Sequence, residues 1–472
     1  MKVQAKLLAL GATALAASFQ AQAFGPTQAP DHVFYVGGGS AQGGAFLAFA
    51  EAFFTSFDVY TDAACGTQGA NYRGVYGTVK ATGTTLPGGG TVPASLGGSK
   101  TLIEYANNGG TFKNGIDGLV RANAIDFANF INAQGTNAST ACGAGSATQY
   151  STSSTVTTSN HVPDIGLSDE EIALFTGTNL PSGAVAISSA ELSKISAAPL
   201  YENVFGVAET KTLALQKVNF STFEITGIEA GFIKDWSKLK GDVGTFAGAN
   251  LPAGPVVLMD RNSGSGSKAS WNEYFLHNPG SKAFSGTVAP KVSTGGNVGD
   301  CTNYTGAGPI DCPKSSNGNV QAGLNDANTK GARAVGILGL EFQPGASDGY
   351  TFGNLNGVDI QGTTAETCGN AVANPFEPAN VVSGAHDLFF TNSLQFRTAS
   401  VKGAPFEGDS SVDSDFMDMF SGIAADPATE VSVPGVLLDP DVAGTPSGQP
   451  YANCITRGTH HQNSTSPLQF VF

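Results

Sequence analysis

The chain has 472 residues, with 23 Lys and Arg against 38 Asp and Glu, for a formal charge of −15. So acidic a molecule repels nucleic acid and anionic membranes and does not draw an anion in from a distance, so any anion site must work through local hydrogen-bond donors. The length allows two or three units of ordinary size, and the 62 glycines assign much of it to loops.

Residues 1–23 read as a secretory signal: Lys2 and Lys6 form the positive start, Leu7 to Ala17 the short apolar stretch, and Ala21-Gln22-Ala23 the cleavage site. Cleavage near Ala23 predicts an exported protein, periplasmic or secreted. No later run has the length and apolar character of a membrane helix. Six cysteines suit an oxidising compartment. Cys301 and Cys312 enclose a short loop with Asn303, Gly306, Gly308 and Pro309 and are expected to pair. Cys65 with Cys142 and Cys368 with Cys454 are the simplest remainder, while the sequence alone leaves the connectivity open. No C-x-x-C pair exists, so no metal role is expected for the cysteines.

His32 to Val36 predicts a strand, Gly37 to Gly44 a glycine-rich turn, and Ala45 to Phe57 an apolar helix. Gly83 to Gly98 reads as a flexible hairpin or loop. Leu102 to Tyr105 predicts a strand, Asn107 to Gly110 a turn, and Phe112, Ile116, Leu119 and Val120 one helical face. Thr136 to Asn160 is Ser/Thr-rich and reads as a loop stapled by Cys142. After Val162 to Leu167, Ser168 and Glu171 have the spacing of a capping box ahead of a helix.

The most informative stretch is Val256 to Leu276. Val256 to Met259 is an apolar run that predicts a buried strand. Asp260 to Ser267 is a polar Gly/Ser turn, and Trp271, Tyr274 and Phe275 recur as on one face of a helix. The first turn of a helix has N–H groups without an intrahelical partner and a positive dipole end. Gly264 and Gly266 admit close approach, the hydroxyls of Ser265 and Ser267 can donate, and Arg261 offers a planar fork to two oxygens. The turn is built for a small anion. It is not a P-loop, since no Gly-Lys-Ser/Thr closes it.

Arg261-x-x-Gly264-Ser265-Gly266-Ser267 resembles the anion-binding turn of the phosphate-binding subunits of ABC phosphate importers, which are type 2 periplasmic solute-binding proteins. Other segments are similar in the right order from about His32 to Phe420. Ser40-Ala41-Gln42 falls where the family has its first anion loop, with a Thr-Phe pair at 41–42. Asn107 falls where a Ser is a ligand. Ser168-Asp169 resembles a strand end whose Asp accepts the proton of bound phosphate. Ser263 stands where an Asp often braces the Arg. Ser221 to Leu239 and Gly331 to Phe342 resemble elements of the second lobe, Phe389 to Ser400 the return to the first, and Met417 to Ile423 a final helix.

The resemblance implies an α/β protein of two lobes with hinge strands and disulfide-stapled insertions: lobe I from 24–205 plus 388–472, lobe II from 206–387. It implies a non-catalytic, monomeric receptor that takes inorganic phosphate or a related oxyanion to an ABC permease, without cofactor. The implied ligands are Arg261, Ser265, Gly266, Ser267 and Asp169, with Asn107, Ser40, Ala41 and Gln42 from the facing loops. An acceptor at Asp169 favours phosphate, which has a proton to give, over sulfate, which has none at neutral pH. The alternative is an exported attachment protein on the same fold without transport. A hydrolase is disfavoured: Gly345-Ala346-Ser347-Asp348-Gly349 fits G-x-S-x-G but is followed by loop and strand rather than helix. His460-His461 and the acidic run from Glu407 to Asp418 are expected to be solvated.

Overall fold

The computed structural model describes residues 29–63, 70–130, 140–141, 148–151, 157–279, 299–360, 367–368, 372–373, 378–397, 410–443, 451, 454–459 and 469–470. Its main strands are β1 (His32–Gly37), β2 (Phe54–Thr61), β3 (Tyr72–Val79), β4 (Lys100–Ala106), β5 (Ile125–Ala128), β6 (Thr158–His161), β7 (Ile165–Ser168), β8 (Ile195–Thr210), β9 (Val257–Met259), β10 (Ile310–Asp311), β11 (Ala334–Gly339), β12 (Tyr350–Leu355), β13 (Phe389–Arg397) and β14 (Val436–Leu438). The longer helices are α1 (Gly43–Glu51), α2 (Thr222–Glu229), α3 (Gly266–Leu276), α4 (Asn317–Thr329) and α5 (Ser410–Ala424). One mixed sheet runs in the order β10-β9-β11-β8-β13-β7-β1-β4-β3-β2.

In one half of the sheet β9 pairs in parallel with β10 and β11. In the other, β1 pairs in parallel with β4 and β7. The long antiparallel strands β8 and β13 join them: β8 pairs with β13 from Ile195 to Val204 and with β11 from Phe205 to Glu209. The continuous apolar runs of β8, β9 and β11 follow from burial on both faces. Val204, Val257, Met259, Ala334 and Leu338 pack with Val320 and Leu324 of α4 on one face. Phe205, Val207, Leu258, Val335 and Ile337 pack with Trp271, Phe275 and Leu276 of α3 on the other. In the other half, Phe46 and Phe49 of α1 meet Phe416 and Phe420 of α5 over β1 and β4.

Three sequence expectations change. The apolar run from Ala45 to Phe57 is not one helix: α1 ends at Glu51 and β2 starts at Phe54, where aromatic and β-branched residues pair with β3 instead. The 83–98 segment is ordered, because Leu86, Val92 and Leu96 are buried in the core and Thr85 bridges Thr91. Ser168 ends β7 and its hydroxyl turns to the Glu170 carbonyl, so no capping box forms and only short helical turns, Ile172–Leu174 and Gly177–Asn179, follow.

Cys301 and Cys312 form a disulfide with Cα atoms 5.7 Å apart. Cys454 is also disulfide-bonded. Cys65, Cys142 and the side chain of Cys368 lie outside the described residues, as do the signal segment, His460 and His461. No described helix is long and apolar enough to cross a membrane.

Candidate functional site

The parallel strands aim their carboxyl ends at one crevice, the usual ligand position in open α/β sheets. Immediately past β1 come Ser40 to Gln42, past β4 Asn107 to Thr111, past β7 Asp169, past β9 Arg261 to Ser267, and past β11 Glu341. Ser40, Ala41, Gln42, Asn107, Asp169, Arg261, Ser265 and Ser267 are all buried.

The turn before α3 forms as the sequence predicts. Gly264 has φ of 91°, a left-handed conformation that favours glycine. Ser265 is the N-cap, its hydroxyl accepting the Lys268 N–H at 3.4 Å. Behind the turn the buried Lys268 ammonium pairs with Asp260 and donates to the Arg261 carbonyl at 2.9 Å. Asp260 also accepts the Arg261 N–H at 2.6 Å. This pair holds the Arg261 backbone in place.

The Asp169 carboxylate lies on the start of α3. It accepts the Thr111 hydroxyl at 2.5 Å and the Ser267 N–H, and the Thr111 hydroxyl in turn accepts the Gly266 N–H at 3.1 Å. A Cβ at Gly266 would stand 1.7 Å from Asp169 Oδ1, so only glycine admits this approach. Burial raises the Asp169 pKa, opposed by the Thr111 hydroxyl and the Arg261 charge.

Arg261 is held by its neighbours. Nε donates to the Lys314 carbonyl and Nη2 to the Ser315 carbonyl, each at 3.3 Å, while Nη1 reaches Ser267 Oγ at 3.3 Å and Asn317 Oδ1. Burial lowers its pKa to about 10, with Asp169, Asp260 and Glu341 opposing. Ser263 is no brace for it, since its hydroxyl donates to the Thr178 carbonyl at 2.9 Å; the Asn317 side chain and two carbonyls do that work. Asn317 opens α4 and crosses the crevice: its N–H donates to Ser40 Oγ at 3.3 Å and its side-chain amide to Glu341 Oε1 at 3.3 Å. Burial, with the Asp169 charge adding, raises Glu341 to about 7.

The facing loops are spent differently from the sequence expectation. Gln42 accepts the Gly39 N–H at 2.7 Å and donates to Asn392 at 3.0 Å, so it shapes its own turn. The Asn107 amide donates to the Ala70 carbonyl at 3.1 Å, and its buried Oδ1 has no partner among the described residues. The loop after Asn107 touches the α3 turn instead, where the Phe112 N–H donates to the Gly264 carbonyl at 2.9 Å. Sequence reasoning missed Thr111, Asn317, Glu341 and Lys268. For Lys268 a signal existed, since a cation eight residues after Asp260 falls one turn into the helix; the other three stand alone in unremarkable contexts.

Among the described residues no group of three His, Cys, Asp or Glu side chains could hold a metal ion. No family model and no curated protein matches the chain. Solved structures similar to it include a protein from Clostridium perfringens with bound phosphate, assigned as a phosphate ABC transporter substrate-binding protein, at 12% identity over 86% of this chain and 99% of that one, with a TM-score of 0.42. PstS from Borrelia burgdorferi is 12% identical over 83% of this chain and 93% of its own, with a TM-score of 0.32. A phosphate transport receptor from Vibrio cholerae is 14% identical over 55% of this chain and 74% of its own, with a TM-score of 0.31. Likenesses this loose carry no argument, and the functional reading rests on the residues of the crevice.

Proposed function

We propose that the protein is an exported, non-catalytic receptor that captures phosphate, or a similar tetrahedral oxyanion, between two lobes and delivers it to an ABC permease. The lobes are 24–205 with 388–472, and 206–387. The observation that carries the reading is the carboxylate of Asp169 on the first turn of α3, taking the Ser267 N–H and the Thr111 hydroxyl. A turn that already receives a carboxylate has the donors and the positive dipole end to receive the oxygens of a ligand. In this reading the ligand takes the place of the Asp169 oxygens, with Arg261 beside it. Asp169 then faces the ligand and accepts its proton. A buried carboxylate that faces the ligand repels an anion unless the anion brings a proton to donate, and sulfate does not.

Calorimetric titration of phosphate-stripped protein with phosphate, arsenate and sulfate tests this. Phosphate and arsenate are expected to bind and sulfate to be rejected, and Asp169→Asn is expected to narrow the phosphate-over-sulfate preference by at least about tenfold, the loss of one charge-assisted hydrogen bond. Absence of heat with all three anions would sink the reading and favour the attachment role.

A further inference from the structure

Arg73 begins the site-facing end of β3, directly opposite Tyr105 on β4. Burial pushes its guanidinium pKa down. Its Nη1 is buried and, among the described residues, has no hydrogen-bond partner and no carboxylate in an ion pair with it. Asp62, one of the two carboxylates that feel its charge, spends Oδ1 on the Tyr72 N–H at 3.0 Å. The other is Glu341, in the crevice.

The guanidinium lies against the start of α1: a Cβ at Gly43 would be 2.0 Å from Nη1 and 2.4 Å from Cζ. A helix start is itself positive, so a half-buried cation that turns a buried, open donor towards it is unfavourable unless an anion lies between them. Ser40, three residues before Gly43, receives the Asn317 N–H, and Asn317 accepts from Arg261, so this helix start and Arg261 belong to one crevice. Arg261 has four protein acceptors for its five N–H groups. It has little left for a ligand, whereas Arg73 has an open N–H.

We propose that Arg73 is the second guanidinium of the oxyanion site, contacting the ligand beside the start of α1 and selecting a dianion such as hydrogen phosphate. Gly43 is its necessary partner, because any side chain there displaces the guanidinium. The assignment rests on the oxyanion reading above.

The test is titration of phosphate-stripped protein with inorganic phosphate for the wild type, Arg73→Gln, Arg73→Lys and Gly43→Ala, with the melting temperature of each recorded without phosphate. Arg73→Gln is expected to bind on the order of 10- to 100-fold more weakly, Arg73→Lys to recover part of the loss, and Gly43→Ala to weaken binding as well. The ligand-free melting temperature of Arg73→Gln should be unchanged or higher, since a cation against the positive start of α1 is gone. Wild-type affinity in Arg73→Gln, with a lowered melting temperature, would mean that Arg73 only supports the sheet and would overturn the assignment while sparing the oxyanion reading. If Arg73→Gln does not fold, wild-type affinity in both Arg73→Lys and Gly43→Ala overturns it equally. A wild type that binds no phosphate overturns both.

Discussion

At Gly266 the absence of a side chain decides whether a carboxylate can reach the start of α3, because a Cβ there would be 1.7 Å from Asp169 Oδ1. Gly266→Ala is therefore expected to expel Asp169 from the turn. Overpacking of this kind costs about 1–3 kcal/mol, to be read by urea denaturation, and phosphate affinity should fall by at least about tenfold in calorimetry because ligand oxygens need the same space. Unchanged stability and affinity would show that the turn is looser than its geometry indicates. Gly264 and Gly266 were legible in the sequence as points of close backbone approach, which depends on local chemistry, whereas the cap falls on Ser265 where the sequence pointed to Ser267. Thr111, Asn317 and Glu341 were not, since each becomes a site residue only through a partner far away in sequence, as Asn317 does through Ser40.

Among the elements, β4 has a buried carboxyl away from the crevice. Glu104 is 5% exposed, and burial raises its pKa from 4.5 to about 8, with a Phe130 hydrogen bond opposing. Its proton is thus held more tightly in the folded than in the unfolded chain. Below pH 4.5 both states are protonated and Glu104 costs nothing; as pH rises from there to about 8 the unfolded state ionises first and stability falls. Glu104→Gln is expected to leave stability unchanged near pH 4 and raise it by on the order of 3 kcal/mol at pH 8, measured as the pH dependence of the urea midpoint. An equal effect at both pH values would reject burial of the ionised form as the cause. The strand itself was predictable from its apolar run, and the depth of burial of Glu104 was not. It depends on the chain around Phe130 closing over that face.

For the whole molecule, β8 and β13 are the strands shared by the two halves of the sheet, and across the crevice between them run the Asn317–Ser40 and Phe112–Gly264 hydrogen bonds. If the halves act as hinged lobes around an oxyanion, small-angle scattering should give a smaller radius of gyration with phosphate than without it. Identical profiles, with binding shown by calorimetry, would mean that the ligand enters a preformed crevice.

The sequence by itself determined the strand–turn–helix unit at Val256 to Leu276 and pointed to the Cys301–Cys312 disulfide, which the structure forms, because apolar periodicity, glycine and short loop closure act over a few residues. It misjudged the 45–57 run and the segment after Ser168, where strand pairing and the fold around Glu170 override local preference. Only the tertiary structure decided which donors are already spent. Gln42 and Arg261 look open in the sequence, yet both find partners within the fold, while Arg73 keeps an open donor against Gly43. Whether a polar group is satisfied depends on which distant segments pack beside it, and that is settled by the closing of the sheet around the crevice.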